Sequence, residues 1–304
     1  MKIGFVTAIL DGWSFDEVLD VAKSQGFGCV EVACWPKGAA ERRYAGVSHI
    51  DVASLDAAKA DDIKGRCRDA GVAISALGYY PNVLSGDQAA NQMAIEHLHA
   101  LIDASAALDV NLVGTFIGRD QRLTVEENLA RVAAVWKPIM AHAEQAGVRV
   151  AIENCPMLFG RDQWPGGQNL FTTPTLWRRI FDAIGSDALG INFDPSHFVW
   201  QMMDYIAPIH DFAGRLFHVH IKDIHLDRRR LNQVGTMAYP LDFMTPKLPG
   251  HGDIDWGAFI SALDDFGYDG PACIEVEDRA YETSRERILD SLILSKRYVD
   301  QFLI

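Results

Sequence analysis

Residues 125–154 read VEENLARVAAVWKPIMAHAEQAGVRVAIEN and contain one complete helix-to-strand unit. Apolar residues recur at helical spacing through 125–145, and a β-rich run follows at 148–153. Gly147 separates the two, and glycine reaches the left-handed conformation of a helix C-cap at little cost. The stretch therefore predicts a helix, a tight turn and then a strand that ends at Glu153.

The same unit recurs along the whole chain. Eight β-rich runs lie at residues 2–7, 29–34, 73–79, 111–116, 148–153, 189–194, 216–221 and 272–277. Sequences of helical period follow them at residues 15–25, 54–70, 88–108, 125–145, 174–184, 200–212, 256–266 and 284–302. Strands that alternate with helices predict a parallel sheet, and eight such units close a barrel. We therefore predict a single-domain (β/α)8 barrel over residues 1–304.

The composition is that of a globular protein with an acidic surface. Hydrophobic residues make up 49% of the 304 residues and charged residues 23%, close to globular averages. The formal net charge of −13 disfavours nucleic acids and anionic membranes as partners. The five cysteines lie far apart without a CxxC pair, and MKIGFVTAIL is too short an apolar run for a secretion signal. We expect a cytoplasmic protein without disulfide bonds or a membrane span.

Three connections that follow predicted strands are long, at residues 35–53, 155–172 and 222–255. Long loops in compact domains are usually functional, and in this fold such loops surround the active site. They carry Trp35, Trp164, Tyr239 and Phe243. We expect these aromatic residues either to form a platform for a flat group or a sugar face, or to pack the loops.

Strands five to eight end in ionisable residues. They deliver a Glu, an Asp, a His and a Glu to one rim, within Glu153-Asn154, Asp194-Pro195-Ser196-His197, His218-Val219-His220-Ile221-Lys222-Asp223 and Glu275-Val276-Glu277-Asp278. Gathering four such groups costs free energy unless something pairs them. Carboxylates with one imidazole suit an octahedral divalent cation. We predict one divalent metal ion, Mn²⁺ by preference, with Mg²⁺, Co²⁺ or Zn²⁺ as alternatives.

The chain resembles the xylose isomerase-like barrel superfamily, specifically its sugar phosphate isomerase/epimerase group, over almost its whole length. The resemblance is carried by Ala151-Ile152-Glu153-Asn154, Phe193-Asp194-Pro195-Ser196-His197, His218-Val219-His220-Ile221-Lys222-Asp223, Gly250-His251-Gly252-Asp253-Ile254-Asp255-Trp256 and Cys273-Ile274-Glu275. It implies metal binding by Glu153, Asp194, His220 and Glu275. It also implies that His197 and Lys222 lie near the substrate.

Two residues remain alternatives to these ligands. Residues two apart on a strand share a face, so His218 lies on the same side as His220, and Glu277 on the same side as Glu275. We favour His220 and Glu275 as ligands. His218 is then expected to be a buried hydrogen-bond partner, and Glu277 to contact the substrate or a loop.

The resemblance implies a reaction like that of the ketose 3-epimerases, on a small carbohydrate. The metal would hold adjacent carbonyl and hydroxyl oxygens and stabilise an enediolate, with Glu153 and Glu275 as acid and base. If a leaving group lies β to the carbanion, the same intermediate expels it. The alternative is therefore a lyase, either an inosose-type dehydratase or an enzyme that cleaves 3-oxo-glycosides.

A third class to consider is the apurinic-site endonucleases, which share this barrel. Their resemblance would imply three zinc ions, with extra histidine ligands from the ends of the third and fourth strands. Those ends read Leu77-Gly78-Tyr79-Tyr80-Pro81 and Gly114-Thr115-Phe116-Ile117-Gly118, without histidine. The acidic charge points the same way, so we expect no nuclease.

Three further features predict binding surfaces. Glu31 points inward by strand parity and is expected either to bind sugar hydroxyls or to be a paired rim carboxylate. Arg228, in the run Arg228-Arg229-Arg230, is expected either to bind a phosphate or carboxylate or to lie in a solvated turn. The broad apolar surface of residues 284–302 predicts a homo-oligomer, and a small partner subunit at the barrel mouth is a further expectation.

Overall fold

The computed structural model describes residues 1–36, 44–158 and 166–303. Its strands are β1 (Lys2–Val6), β2 (Cys29–Ala33), β3 (Ala73–Gly78), β4 (Leu112–Thr115), β5 (Arg149–Glu153), β6 (Leu189–Phe193), β7 (Leu216–Ile221), β8 (Asp223–Leu226), β9 (Met244–Lys247) and β10 (Pro271–Ile274). Eight of them close a barrel in the order β1-β10-β7-β6-β5-β4-β3-β2. The barrel pairs are parallel, and β8 and β9 form a separate antiparallel pair. The predicted (β/α)8 barrel is confirmed.

The α-helices of the described residues are α1 (Phe15–Ser24), α2 (Ala57–Ala70), α3 (Gln88–Ala107), α4 (Val125–Gln145), α5 (Pro174–Ile184), α6 (Ser196–Val199), α7 (Ala207–Asp211), α8 (Arg228–Val234), α9 (Trp256–Asp265) and α10 (Arg285–Asp300). Short 3-10 helices lie at Thr7–Leu10, Val52–Ser54, Ala213–Arg215, Pro240–Asp242 and Arg279–Tyr281. Within the described part of the chain, no helix combines the length and the apolar character that a bilayer crossing requires.

Local sequence explains where the longest helices begin and end. Thr124 caps α4, and its side chain and that of Glu127 each accept the other's backbone N–H in a capping box. The same helix ends before Gly147, whose φ of 71° is in the left-handed region. Glu127 and Gly147 lie within residues 125–154 and Thr124 directly precedes them, which explains why α4 begins and ends where the sequence predicts.

The helices cover the outer face of the barrel and hold the loops at its carboxyl end. All five residues of β2 and all five of β6 are buried, as expected of parallel strands covered on both faces. Trp136 on α4 donates its indole N–H to the carbonyl of Ile117 at 2.9 Å, and Trp177 on α5 donates to Phe171 at 3.0 Å. These bonds fix the segments that follow β4 and β5 relative to the barrel.

One predicted helix, at residues 200–212, is wrong. The structure has α6 before this range and only the short α7 within it. Met202 adopts a φ of 57°, which ends the first helix. The Asp204 carboxylate then accepts the backbone N–H of Ile206 at 2.7 Å and of Ala207 at 3.3 Å, so the chain restarts a helix there.

The long connection after β7 has structure that the sequence reasoning did not predict. Asp223 pairs with Lys247, and the β8–β9 ladder continues to Leu226 and Met244. The Asp223 carboxylate accepts the backbone N–H groups of Gly250 at 2.9 Å and Ile254 at 3.2 Å. This buried side chain therefore ties the end of the hairpin back to the barrel, beside the strand that carries His220.

The apolar surface predicted on the last helix is only partly exposed. Leu292 and Val299 of α10 are fully buried, whereas Leu294 is 41% exposed. Packing on the barrel accounts for the buried residues. The homo-oligomer therefore stays a prediction, as does the small partner subunit.

Candidate metal centre

A cavity of about 730 Å³ lies at the carboxyl ends of the barrel strands. This size is within the range of cavities that bind small molecules. The acidic, basic and histidine residues that line it are Glu31, Glu153, His197, Lys222, Glu275, Glu277 and Arg279. Its aromatic residues include Trp35, Tyr44, Trp200 and Tyr239. The cavity therefore offers both charged and aromatic side chains to a ligand.

The loop aromatics predicted to face a ligand differ in their positions. Trp35 and Tyr239 line the cavity. Phe243 is 2% exposed and packs with Trp200, Ile224 and Leu226, so it is a packing residue of the hairpin. Trp164 lies outside the described residues. Two of the four aromatic residues are thus available to contact a ligand.

The structure brings together the four side chains predicted to bind a metal. Each of Glu153, Asp194, His220 and Glu275 offers an oxygen or nitrogen atom, and these atoms lie within 4.8 Å of one another. His220 Nδ1 is 3.5 Å from Glu153 Oε1 and 3.6 Å from Glu275 Oε2. Glu153, Asp194 and His220 are buried, and the side chain of Glu275 is 20% exposed. The cluster therefore has a buried base and one side open to the cavity.

Two buried atoms test whether this cluster fits a cation. Among the described residues, His220 Nδ1 and Asp194 Oδ2 have no hydrogen-bond partner, although Lys222 Nζ forms an ion pair with Asp194 Oδ2 at 2.9 Å. A buried imidazole nitrogen without a partner is costly, and one that faces two carboxylates is a natural metal ligand. The residues present fit a divalent cation.

His218 lies deeper in the barrel than the cluster, and both of its ring nitrogens have hydrogen-bond partners. Its Nδ1 is 3.1 Å from Asn192 Oδ1, and its Nε2 is 3.2 Å from Ser75 Oγ. Burial lowers the pKa of His218 to about 4, so the ring is neutral. Between the two histidines, His220 is the one that lies among the carboxylates.

Glu31 contacts the far side of the His220 ring. Glu31 Oε2 is 2.8 Å from His220 Nε2, and Glu31 Oε1 accepts a hydrogen bond from the Tyr80 hydroxyl at 2.6 Å. Burial acts to raise the pKa of Glu31, but the charge of His220 and the hydrogen bonds from His220 and Tyr80 hold this pKa below its usual range. A carboxylate that accepts the second N–H of a metal-binding histidine orients the ring. Of the two roles open to Glu31, the structure shows the paired carboxylate; a sugar contact stays a prediction.

Lys222 and His197 occupy the cavity side of the cluster. Lys222 Nζ is 2.7 Å from Glu275 Oε2 and 3.3 Å from both Glu277 Oε2 and His197 Nε2. His197 Nε2 is also 3.1 Å from Asp194 Oδ2. Both residues line the cavity, where a substrate would reach them.

The two glutamates of the cluster have different environments. Burial, with the charges of Glu153 and Glu277, raises the pKa of Glu275 to about 7 against the opposing charge of Lys222. Burial also acts to raise the pKa of Glu153, but contacts with His197 and His220 outweigh it and lower that pKa. Of the two glutamates, Glu153 is therefore the stronger acid.

Arg228 does not belong to this site. It is exposed at the start of α8, directly after the N-cap Asp227. Arg228 lines a separate shallow depression with Met202, Tyr205 and Asp253. Arg228 is exposed, but on the first turn of a helix rather than in a loop turn, and it does not line the cavity at the strand ends. Its binding of a phosphate or carboxylate group of the substrate stays a prediction.

Sequence reasoning missed Tyr80 and Asn192. Asn192 Nδ2 is 2.9 Å from His220 Nε2 and donates to the Tyr80 hydroxyl at 3.2 Å. Asn192 lies two residues before Asp194, and strand parity would have found it. Tyr80 follows the end of β3, and no sequence signal marks it.

Comparisons with known proteins agree with this architecture. The chain is 22% identical over 168 residues to the inosose dehydratase of Clostridium tetani (strain Massachusetts / E88), covering 55% of this chain and 54% of that protein. It spans about half the length of the curated relatives it matches.

Solved structures match over nearly their whole length. One is the D-psicose 3-epimerase of Clostridium cellulolyticum H10 with D-tagatose, at 16% identity and a TM-score of 0.70, covering 100% of this chain and 99% of that one. Another is the IOLI protein with a bound zinc atom, at 18% identity and a TM-score of 0.71, with the same coverage. At these identities the likeness shows the fold. The family model described as xylose isomerase-like TIM barrel matches residues 19–297, and the chain belongs to this family.

Proposed function

We propose that this protein is a divalent-metal-dependent isomerase or epimerase of a sugar or sugar-derived ketone, with Glu153 and Glu275 as acid and base. One observation carries the proposal. The two carboxylates come from β5 and from the end of β10, three positions apart around the barrel, and both line the cavity on either side of His220. A substrate in the cavity would therefore lie between two groups that can exchange protons with it.

Glu153, Asp194, His220 and Glu275 would hold the metal. A divalent ion bound there would polarise the carbonyl oxygen of the substrate and stabilise the negative charge that develops when the neighbouring carbon loses its proton. We expect Mn²⁺ by preference, because three of the four ligands are carboxylates.

The protein residues account for the proton movements. One glutamate accepts the carbon-bound proton from one face of the substrate, and the other donates its own proton to the opposite face. The carbon is thereby inverted, and the two carboxyl groups exchange protonation states until solvent restores them. Lys222, 2.7 Å from Glu275, would bind a substrate oxygen on that side.

A lyase acting through the same intermediate is the second candidate. Curated relatives of this chain are named inosose dehydratase, and a dehydratase differs only in where the electrons of the intermediate go. If the substrate carries a hydroxyl or alkoxyl group β to the carbanion, protonation of that group by His197 or Lys222 would expel it.

The test is to assay the metal-stripped protein, before and after addition of Mn²⁺, on free ketoses, ketose phosphates, inososes and 3-oxo-glucosides in D₂O. Proton NMR follows deuterium at the carbon next to the carbonyl together with product identity. An epimer or isomer that gains deuterium only with metal is the expected result. Loss of water or of an alcohol would replace the first candidate by the second, and activity without metal would contradict both.

A further inference from the structure

Cys155 places a thiol at the wall of the cavity. It lies two residues after Glu153 and lines the cavity with it. The buried Asn169 side chain donates hydrogen bonds to the carbonyls of Glu153 at 2.9 Å and Cys155 at 2.7 Å. This short segment is therefore fixed, and the thiol keeps its position beside the carboxylate.

His197 completes a group of three possible ligands. The ligand atoms of Glu153, Cys155 and His197 lie within 4.8 Å of one another. His197 Nε2 is 3.7 Å from Glu153 Oε1, close to the separation of about 3.3 Å between a nitrogen and an oxygen ligand of tetrahedral zinc. The backbone N–H of Met157 approaches Cys155 Sγ at 3.4 Å, a contact that also stabilises a thiolate ligand.

We propose that Glu153, Cys155 and His197 form a second metal position, which takes a thiophilic divalent ion such as Zn²⁺ or Cd²⁺. A carboxylate, a thiolate and an imidazole are a softer ligand set than the three carboxylates and one imidazole of the first cluster. The fourth place of a tetrahedral ion remains open toward the cavity. Binding releases the thiol proton to solvent and leaves the oxidation states unchanged.

Neighbouring charges set the strength of this second position. Lys222 Nζ, 3.3 Å from His197 Nε2, opposes a cation there, whereas Asp194 Oδ2, 3.1 Å from the same nitrogen, favours one. Glu153 is shared with the first cluster. We therefore expect the second ion to bind more weakly than the first and, by engaging Glu153 and His197, to inhibit the enzyme.

Cobalt spectroscopy tests this position without any assay of activity. Co²⁺ bound to a thiolate gives a near-ultraviolet charge-transfer absorption that oxygen and nitrogen ligands do not give. In a titration of the metal-stripped protein, the expected result is two bound Co²⁺ per chain, the charge-transfer band rising with the second. Cys155→Ser should abolish the band and bind one ion. Cys67→Ser, which changes another half-buried cysteine on α2, should keep both.

Further variants separate this position from the proposed function. Asp194→Asn should weaken the first ion and, because Asp194 also favours a cation at His197, raise the Co²⁺ concentration at which the band appears without abolishing it. The second position can therefore stand even if the first cluster plays no part in catalysis. His197→Asn should shift the midpoint of the band to higher Co²⁺ concentration. Absence of the band, its persistence in Cys155→Ser, or one ion per chain with the band present would overturn the second position.

Discussion

The two halves of the barrel mouth differ in chemistry. Strands β5, β6, β7 and β10, which adjoin one another, end in Glu153, Asp194, His220 and Glu275. Strands β1 to β4 end in small or apolar residues, and the residues with which they line the cavity include Val6, Ala33, Gly78 and Phe116. The first half, β5 to β7 with β10, holds the proposed metal ligands and proton-transfer groups, and we name it the ligand half. The other, β1 to β4, is the support half.

A buried contact to the proposed ligand His220 joins the support half to the ligand half. Glu31 on β2 reaches across the barrel to His220, and Tyr80 holds Glu31 from the end of β3. Glycines make room for both: a Cβ on Gly78 would lie 2.7 Å from Glu31 Oε1, and one on Gly114 would lie 2.5 Å from the Tyr80 hydroxyl. The ligand half therefore carries the clustered ionisable groups, whereas the support half provides the space for Glu31 and Tyr80 and orients the His220 ring.

The largest effect that we expect is a fall in kcat when either proposed proton-transfer group of the ligand half is removed. Glu153→Gln and Glu275→Gln should each lower kcat by about 10²–10⁴-fold, because a positioned acid or base is removed. The measurement is deuterium exchange and turnover with saturating metal. Glu96→Gln changes an exposed glutamate of α3 that does not line the cavity, and this control variant should retain the activity. Equal losses in all three variants would contradict the assignment.

Removal of the metal should lower the thermal stability of the protein through the ligand half. At a free metal concentration 100 times the Kd, binding stabilises the folded state by about 2.7 kcal/mol. Asp194→Asn should lose most of this metal-dependent rise in Tm, because Asp194 Oδ2 would no longer be an anionic ligand. Thermal unfolding with and without Mn²⁺ measures the effect, and an undiminished rise in the variant would remove Asp194 from the ligand set.

Loss of the contact between Glu31 and His220 should weaken metal binding less than loss of a proposed ligand. Glu31→Gln should weaken metal binding by about 10–100-fold, the usual cost of changing a partner of a ligating histidine. Tyr80→Phe should act in the same direction. Chelator competition gives the metal Kd. Tyr268→Phe removes another buried hydroxyl, which donates to the Pro271 carbonyl at 2.8 Å, and should leave the Kd unchanged.

A methyl group added beside Glu31 in the support half should have a smaller effect, on the free energy of unfolding. Gly78→Ala should cost about 1 kcal/mol or more of unfolding free energy, because the new methyl group meets Glu31 and Tyr80 and neither can move freely. Denaturant unfolding measures it, with Gly214→Ala as a control that meets nothing within 4 Å. If the two alanine variants are equally stable, the packing around Glu31 is looser than the distances indicate.

The smallest effect is expected outside both halves. Arg228→Ala should leave kcat/KM unchanged and alter stability by less than about 0.5 kcal/mol, as for most exposed positions. Steady-state kinetics on the substrate that the D₂O assay identifies would show this. A marked rise in KM alone would restore Arg228 as a substrate contact.

Periodicity and strand-end chemistry carried most of the prediction. The eight barrel strands begin and end within three residues of their predicted positions, because alternation of short β-rich runs with helical sequence is a local property. The rule that strand ends meet at one rim predicted that a Glu, an Asp, a His and a Glu come together, and the family resemblance implied that these are Glu153, Asp194, His220 and Glu275. The wrong prediction was the single helix at residues 200–212, where local signals compete. The positive φ of Met202 ends one helix, and the Asp204 carboxylate accepts the N–H groups at the start of the next.

The barrel, the net negative charge and the gathering of ionisable groups on the last four barrel strands follow from residue types and their spacing along the chain. The positions of individual side chains required the folded structure: His220, rather than His218, faces the carboxylates, Glu31 contacts the opposite nitrogen of the His220 ring, and Arg228 lies outside the cavity. These facts depend on which side chains from distant strands occupy the same layer of a closed barrel. Strand register and barrel closure set that layer, and neither can be read from any single segment.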